Sequence, residues 1–193
     1  DAEGNRDWPS IAVYFYRDEW IMGDIYYQQA LFEEIYKHQY NPIIFYGQYG
    51  SNPRVGIPNM KLSMNYLFGK DQFPFDVLIN TCKFSYQSLG AQTLEELKLQ
   101  DVPIIQGYTI YMDEKTWAAD PQGVTPLDVN LSISQPELDG VIQGGVVACQ
   151  TFDERGHYVY LPVKERIAAV VQRAIKWSKL RHIPVEKRKI AIV

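Results

Sequence analysis

Two carboxylates spaced two residues apart, Glu137 and Asp139, are the residues of this chain whose types and spacing first suggest chemistry. They lie in Ser-Gln-Pro-Glu-Leu-Asp-Gly-Val, residues 134–141. Just upstream, Val129, Leu131 and Ile133 alternate with Asn130, Ser132 and Ser134, the period of a half-buried strand. Pro136 has no N–H to give a ladder, so the strand is expected to end there, and Gly140 to supply a turn. Acids just past a strand end can face a cleft, where they could carry protons or hold a metal. A solvated acidic turn has the same spacing, and spacing alone leaves both readings open.

The elements that must position these acids follow an alternating pattern. Ile11 to Tyr16 is an apolar run of the kind that forms a strand buried on both faces. Asp24 is a candidate N-cap for a helix whose face is Tyr27, Leu31 and Ile35, and Asn41-Pro42 ends it. Ile43 to Tyr46 is then a second strand, which makes a βαβ unit with parallel strands. A short helix over 61–68, strands at 75–80 and 102–105, and a helix at 94–99 between them continue the pattern. The expected architecture is a flavodoxin-like, doubly wound parallel sheet. A long helix over 161–181 should follow, with Pro162 in its first turn, and residues 190–193 read as the first strand of a further α/β unit. The expected organisation is a flavodoxin-like domain over 1–145, a loop and connecting helix over 146–186, and the opening of another domain over 187–193.

Each expected strand ends in polar groups: Arg17-Asp18-Glu19, Gly47-Gln48, Asn80-Thr81 and Gln106-Gly107. In a parallel sheet these ends share one rim, where open α/β sheets bind ligands. Polar strand ends also occur in any water-soluble domain.

Composition and missing motifs narrow the function. With 193 residues, 46% of them hydrophobic, and a formal charge of −4, the chain is neither a nucleic-acid binder by electrostatics nor a membrane-surface protein. No apolar run approaches the ~18 residues of a membrane span. The start at Asp1 suggests a processed or excised piece. Cys82 and Cys149 have no metal-type spacing and point to a reducing compartment. A P-loop, a Gly-x-Ser-x-Gly elbow, a His-Glu-x-x-His pair and a dinucleotide Gly-x-Gly-x-x-Gly after the first strand are all absent from the sequence. His38, His157 and His182 have unrelated spacing, which gives a hydrolytic triad little support.

Gln135-Pro136-Glu137-Leu138-Asp139-Gly140-Val141-Ile142 resembles an element of the family formed by the cobaltochelatase large subunit (CobN) and the large subunit of magnesium chelatase. Three more stretches match in the same order: Asp101 to Gln106; Trp117 with Gly123 to Asp128; and Arg173 to Trp177 running on through Leu180-Arg181, Pro184 and Lys189 to Ile192. Arg17 to Asp24, with Trp20 and Gly23, is compatible. The resemblance implies an internal piece of a much larger tetrapyrrole-binding subunit, inactive by itself. In that family AAA+ partner proteins hydrolyse ATP to drive a divalent metal, cobalt or magnesium, into a corrin or porphyrin, a ligase reaction that forms metal–nitrogen bonds. Gly144-Gly145 and the stretch 151–160, with His157, depart from the family pattern and put the choice of metal in doubt.

Metal insertion removes two pyrrole N–H protons and strips water from the metal. The resemblance therefore implies Glu137, at the C-terminal rim, as proton acceptor or transient metal ligand. Asp139 would share the task or bond its own turn. Fourteen tyrosines offer faces on which a flat macrocycle could stack. Two alternatives stay open. One is a relative that takes metal out of haem, with His157 as axial ligand and a periplasmic rather than cytoplasmic location. The other is a non-catalytic α/β binding module.

Overall fold

The computed structural model describes residues 5, 7–48, 52–69, 73–85 and 101–189. Six strands form one sheet in the order β2-β1-β3-β4-β5-β6. They are β1 (Ser10–Tyr16), β2 (Asn41–Gly47), β3 (Val77–Asn80), β4 (Ile104–Ile110), β5 (Ile142–Phe152) and β6 (Tyr158–Pro162). The first five run parallel, in flavodoxin order, and β6 is added antiparallel to β5. The parallel arrangement expected for the first four strands is what the pairing shows.

The apolar runs of the strands have the pattern of a sheet covered on both faces. Ile11 and Val13 of β1 face one layer, with Tyr27, Leu31 and Ile35 of α2 (Tyr26–Lys37) and Ile167, Val170 and Ala174 of α6 (Lys164–Arg181). Ala12 and Tyr14 face the other, against Met60 and Met64 of α3 (Met60–Phe68). Period-2 alternation along β1 thus separates two cores. The far end of α6 is tied down through Asp76, which accepts hydrogen bonds from Ser178 Oγ at 2.6 Å and His182 Nε2 at 2.8 Å. Two short helices flank the carboxyl ends of the strands: α1 (Arg17–Met22) after β1, and α4 (Glu114–Ala119) after β4.

The strand expected over 129–134 is a helix. Pro126–Asp128, Val129–Ser134 and Gln135–Leu138 run on as one element, α5, whose middle is widened to π-type turns. Thr125 caps it by accepting the Asp128 N–H, and Pro126 occupies a first-turn position where its missing N–H costs nothing. Asp128, Ser132 and Pro136 are buried at four-residue spacing. A six-residue alternation is too short to decide between periods, and here a helix buries polar residues on its inner face. The widened turns precede Pro136, whose ring and absent N–H do not fit a regular helix interior.

The strand that the sequence hides is β5. Gly144 and Gly145 obscure it, yet a side chain at Gly144 would place Cβ 2.5 Å from the Gln106 carbonyl oxygen. The β4–β5 register shifts beside this point, between Gln106 and Gly107. Glycine marks the close approach of two backbones. Pro162 closes the edge strand β6 instead of opening the long helix, which starts at Lys164. The boundary expected at 145/146 falls inside β5, and α6 packs in the same core as β1. Asp24 does not cap α2; both its carboxylate oxygens accept the Tyr160 N–H, at 3.1 and 3.0 Å. The helix expected at 94–99 and the strand at 190–193 lie outside the described residues.

Candidate functional site

The carboxyl ends of the parallel strands and the β5–β6 hairpin enclose a cavity of about 590 Å³. Its lining comes from every side: Tyr16 at the end of β1, Asp18, Glu19 and Met22 of α1, Asp24, Lys83 and Phe84 after β3, Thr109 and Tyr111 at β4, Gln150 of β5, and Tyr158 and Tyr160 of β6. The rim inferred from polar strand ends is thus a real concavity. Not all of those polar groups face it. Asn80 Nδ2 donates to Gln106 Oε1 at 2.7 Å and to the Cys82 carbonyl at 3.0 Å, and Gln106 Nε2 donates to the same carbonyl at 2.7 Å. These buried amides hold the loop after β3 in place and leave it to Lys83 and Phe84 to meet the cavity.

That loop is fixed from two more directions. Phe84 stands at φ 71°, in the left-handed region that bulky residues avoid. Its N–H donates to the Leu131 carbonyl of α5 at 2.7 Å, and the Lys83 N–H donates to Tyr16 Oη at 3.0 Å. Lys83 Nζ then lies 3.9 Å from Asp128 Oδ1 and 3.2 Å from the centre of the Tyr111 ring. Burial lowers the Lys83 ammonium to about 8, against the opposing charges of Asp128 and Glu19.

Glu19 is the opposite case. Burial raises its carboxyl to about 7. The Tyr27 hydrogen bond works against this, Asp24 adds to it, and Gln28 and Lys83 work against it. Tyr27 Oη donates to Glu19 Oε2 at 2.6 Å, and Gln28 Nε2 donates to the same oxygen. Asp24 is also raised, first by burial, with the Tyr160 N–H opposing. An acid moved up and a base moved down, in one cavity, is the pattern of a site that exchanges protons near neutrality.

A family model described as CobN/Magnesium Chelatase matches residues 1–193. The chain belongs to this family. It is 27% identical over 123 residues to the aerobic cobaltochelatase CobN protein of Pseudomonas aeruginosa, covering 61% of this chain and 10% of that one. It is 28% identical over 149 residues to the large (H) component of magnesium chelatase from Rhodobacter capsulatus, covering 66% and 12%. Among solved structures, the catalytic subunit of cobaltochelatase from Mycobacterium tuberculosis superposes with a TM-score of 0.74 at 26% identity, over 95% of this chain and 15% of that one. The chain therefore spans well under a fifth of these relatives.

Within this CobN/Magnesium Chelatase chain, the acids singled out from sequence sit apart from the cavity. Glu137 is exposed near the end of α5, just before β5 begins, and does not line the cavity. Since β5 runs parallel to β4, the acid precedes the strand's amino end instead of following a carboxyl end. Glu137 and Arg173 both act on the Tyr108 hydroxyl, whose proton burial makes harder to lose. Asp139 is buried and accepts a hydrogen bond from Ser85 Oγ at 2.8 Å, a longer-range bond than the turn contact expected of it. His157 is exposed in the β5–β6 hairpin, its Nδ1 3.6 Å from Asp153 Oδ2. Among the described residues no three His, Cys, Asp or Glu side chains converge as a metal site, and no helix is long and apolar enough to cross a membrane.

Sequence reasoning placed Glu19 on the rim but gave it no separate role. Lys83 had no signal at all, because nothing local marks a lysine as buried. Asp128 carried one: Thr125-Pro126 followed by an acid is a helix start, which places Asp128 in the first turn of α5.

Proposed function

We propose that this chain is the part of a large chelatase subunit that holds one edge of a tetrapyrrole while a divalent metal enters the ring. The observation that carries the reading is the family match over residues 1–193, joined to a cavity at the strand ends with an aromatic wall and opposed titratable groups. Tyr16, Tyr111, Tyr158 and Tyr160 offer ring faces for stacking against a flat macrocycle. Lys83 suits an acidic substituent of the ring. Cobalt and magnesium are the metals suggested by the names of the relatives, and a corrin and protoporphyrin are the macrocycles that the sequence resemblance pairs with them. ATP hydrolysis by separate AAA+ proteins would drive the insertion, in the cytoplasm.

Glu137 is proposed as a carboxylate that meets the hard cation on its way from solvent, in keeping with its exposure. Asp139, bonded to Ser85, would hold the turn beside it. The haem-removing alternative depends on His157, whose ring lies outside the cavity lining, so no observation favours it. Absorbance titration of the full-length subunit with a cobyrinate-type corrin, protoporphyrin and haem tests the proposal. A shifted spectrum with the corrin or protoporphyrin is expected. Binding of haem alone would sink the insertion reading, and binding of none would leave a scaffolding module.

A further inference from the structure

We propose that Glu19 is the proton acceptor of the cavity, taking one proton at a time from a ring N–H of the macrocycle. The inference deepens the chelatase reading and rests on it.

Hydrogen counting supports it. Three oxygen–oxygen contacts run in series from the cavity wall into the protein. Glu19 Oε2 meets Tyr27 Oη at 2.6 Å, Tyr27 Oη meets Thr81 Oγ1 at 3.0 Å, and Thr81 Oγ1 meets the Tyr14 carbonyl oxygen at 3.0 Å. The two hydroxyls bring two hydrogens, and the carbonyl brings none. With Glu19 ionised, Tyr27 donates to the carboxylate and Thr81 to Tyr14, so no hydrogen lies between Tyr27 and Thr81. With Glu19 protonated, it donates to Tyr27, Tyr27 turns to Thr81, and Thr81 keeps Tyr14. All three contacts are then filled. Gln28 Nε2 donates to Glu19 Oε2 in either state. The chain has room for one further proton, and Glu19 is the end that meets the cavity.

The groups facing Glu19 agree with this role. They are Asp24, Tyr27 and Gln28 of α2 and the loop before it, Cys82 and Lys83 after β3, and Tyr160 of β6. Burial, with Asp24 adding to it, outweighs Tyr27, Gln28 and Lys83 and raises the carboxyl to about 7, where it can both take and release a proton. The step balances without an oxidant or reductant. A ring N–H bond breaks, its electron pair stays on nitrogen as a donor to the divalent metal, and an O–H bond forms on Glu19. The acid then returns its proton to water at the cavity mouth, ready for the second ring proton.

The test uses the full-length subunit. An infrared pH titration of the free protein should show a carboxylic C=O band that titrates near pH 7 and is missing from Glu19→Gln. Glu19→Gln should bind the macrocycle with the parent's affinity, insert metal about 10²–10⁴-fold more slowly, and lose the acid limb of the pH–rate profile. A parent-like rate and profile, or no such band lost, overturns the proposal while leaving the chelatase reading intact. A full-length protein that binds no tetrapyrrole defeats the chelatase reading instead, and the infrared arm still decides where the proton is stored. If Glu19→Gln misfolds, Tyr27→Phe serves: it removes a donor to the carboxylate, so the band's midpoint should rise. An unmoved midpoint assigns the band to another carboxyl and overturns the proposal.

Discussion

At the scale of single residues, the chain separates two kinds of carboxylate. Glu19 is enclosed by Tyr27 and Gln28, whereas Glu137 stands in water beside Tyr108 and Arg173. Burial around Glu19 raises its carboxyl to about 7. Glu137→Gln should therefore leave stability within about 0.5 kcal/mol, as for most exposed substitutions. If Glu137 meets the cation in transit, the same variant of the full-length subunit should need roughly tenfold more metal for half-maximal rate, the worth of one charge-assisted contact. Metal dependence identical to the parent's would remove Glu137 from the reaction. The contrast explains which residues are legible in the sequence. Glu137 and Asp139 are visible because a short motif surrounds them. Lys83 and Glu19 acquire their character from Tyr111, Asp128 and Tyr27, residues 28, 45 and 8 positions away in the sequence.

Secondary-structure elements are legible wherever their period runs long. The face of α6 and the apolar runs of β1 and β3 stand in the sequence as they stand in the fold. α5 and β5 mislead for physical reasons. α5 is short in each of its pieces, buries polar residues, and carries a proline in its last turns. β5 carries two glycines near its start, and the close approach of β4 requires the first of them, Gly144. Each of the two yields a test. Thr125→Ala removes the side chain that starts α5 and should cost about 1 kcal/mol in denaturant unfolding. A cost near zero would mean that packing against β4 alone sets the helix. Gly144→Ala drives a methyl into the Gln106 carbonyl and should cost about 1–3 kcal/mol, measured the same way. A neutral result would show that the β4–β5 register can slide to make room.

For the molecule as a whole, Glu19 and Lys83 make stability depend on pH in opposite senses. Glu19 titrates near 4.5 when unfolded and at about 7 when folded, so the folded state holds the extra proton between those values. Stability falls as pH rises from about 4.5 to 7, by an amount on the order of 3 kcal/mol for this group. Lys83 titrates near 10.5 unfolded and at about 8 folded, so the unfolded state holds the extra proton there, and stability recovers as pH rises from about 8 to 10.5. Thermal unfolding should therefore show a shallow minimum between pH 7 and 8. In Glu19→Gln the descending arm should flatten. A curve with the ordinary maximum in that window would mean that neither group is as enclosed as its surroundings indicate.

The antiparallel β6 has a consequence for how such a cavity diversifies. Tyr158 and Tyr160 enter its wall on the returning arm of a hairpin, while the other lining groups hang from parallel strands and their loops. The hairpin's tip, residues 153–157, closes on itself: Asp153 accepts the N–H groups of Arg155 and His157 and bonds the His157 carbonyl through its own N–H. Insertions or deletions confined to the tip leave the five-stranded parallel frame untouched, since exposed tips bear such changes at small cost. The hairpin that brings Tyr158 and Tyr160 is thus a separable wall, added outside the parallel frame that holds Glu19 and Lys83.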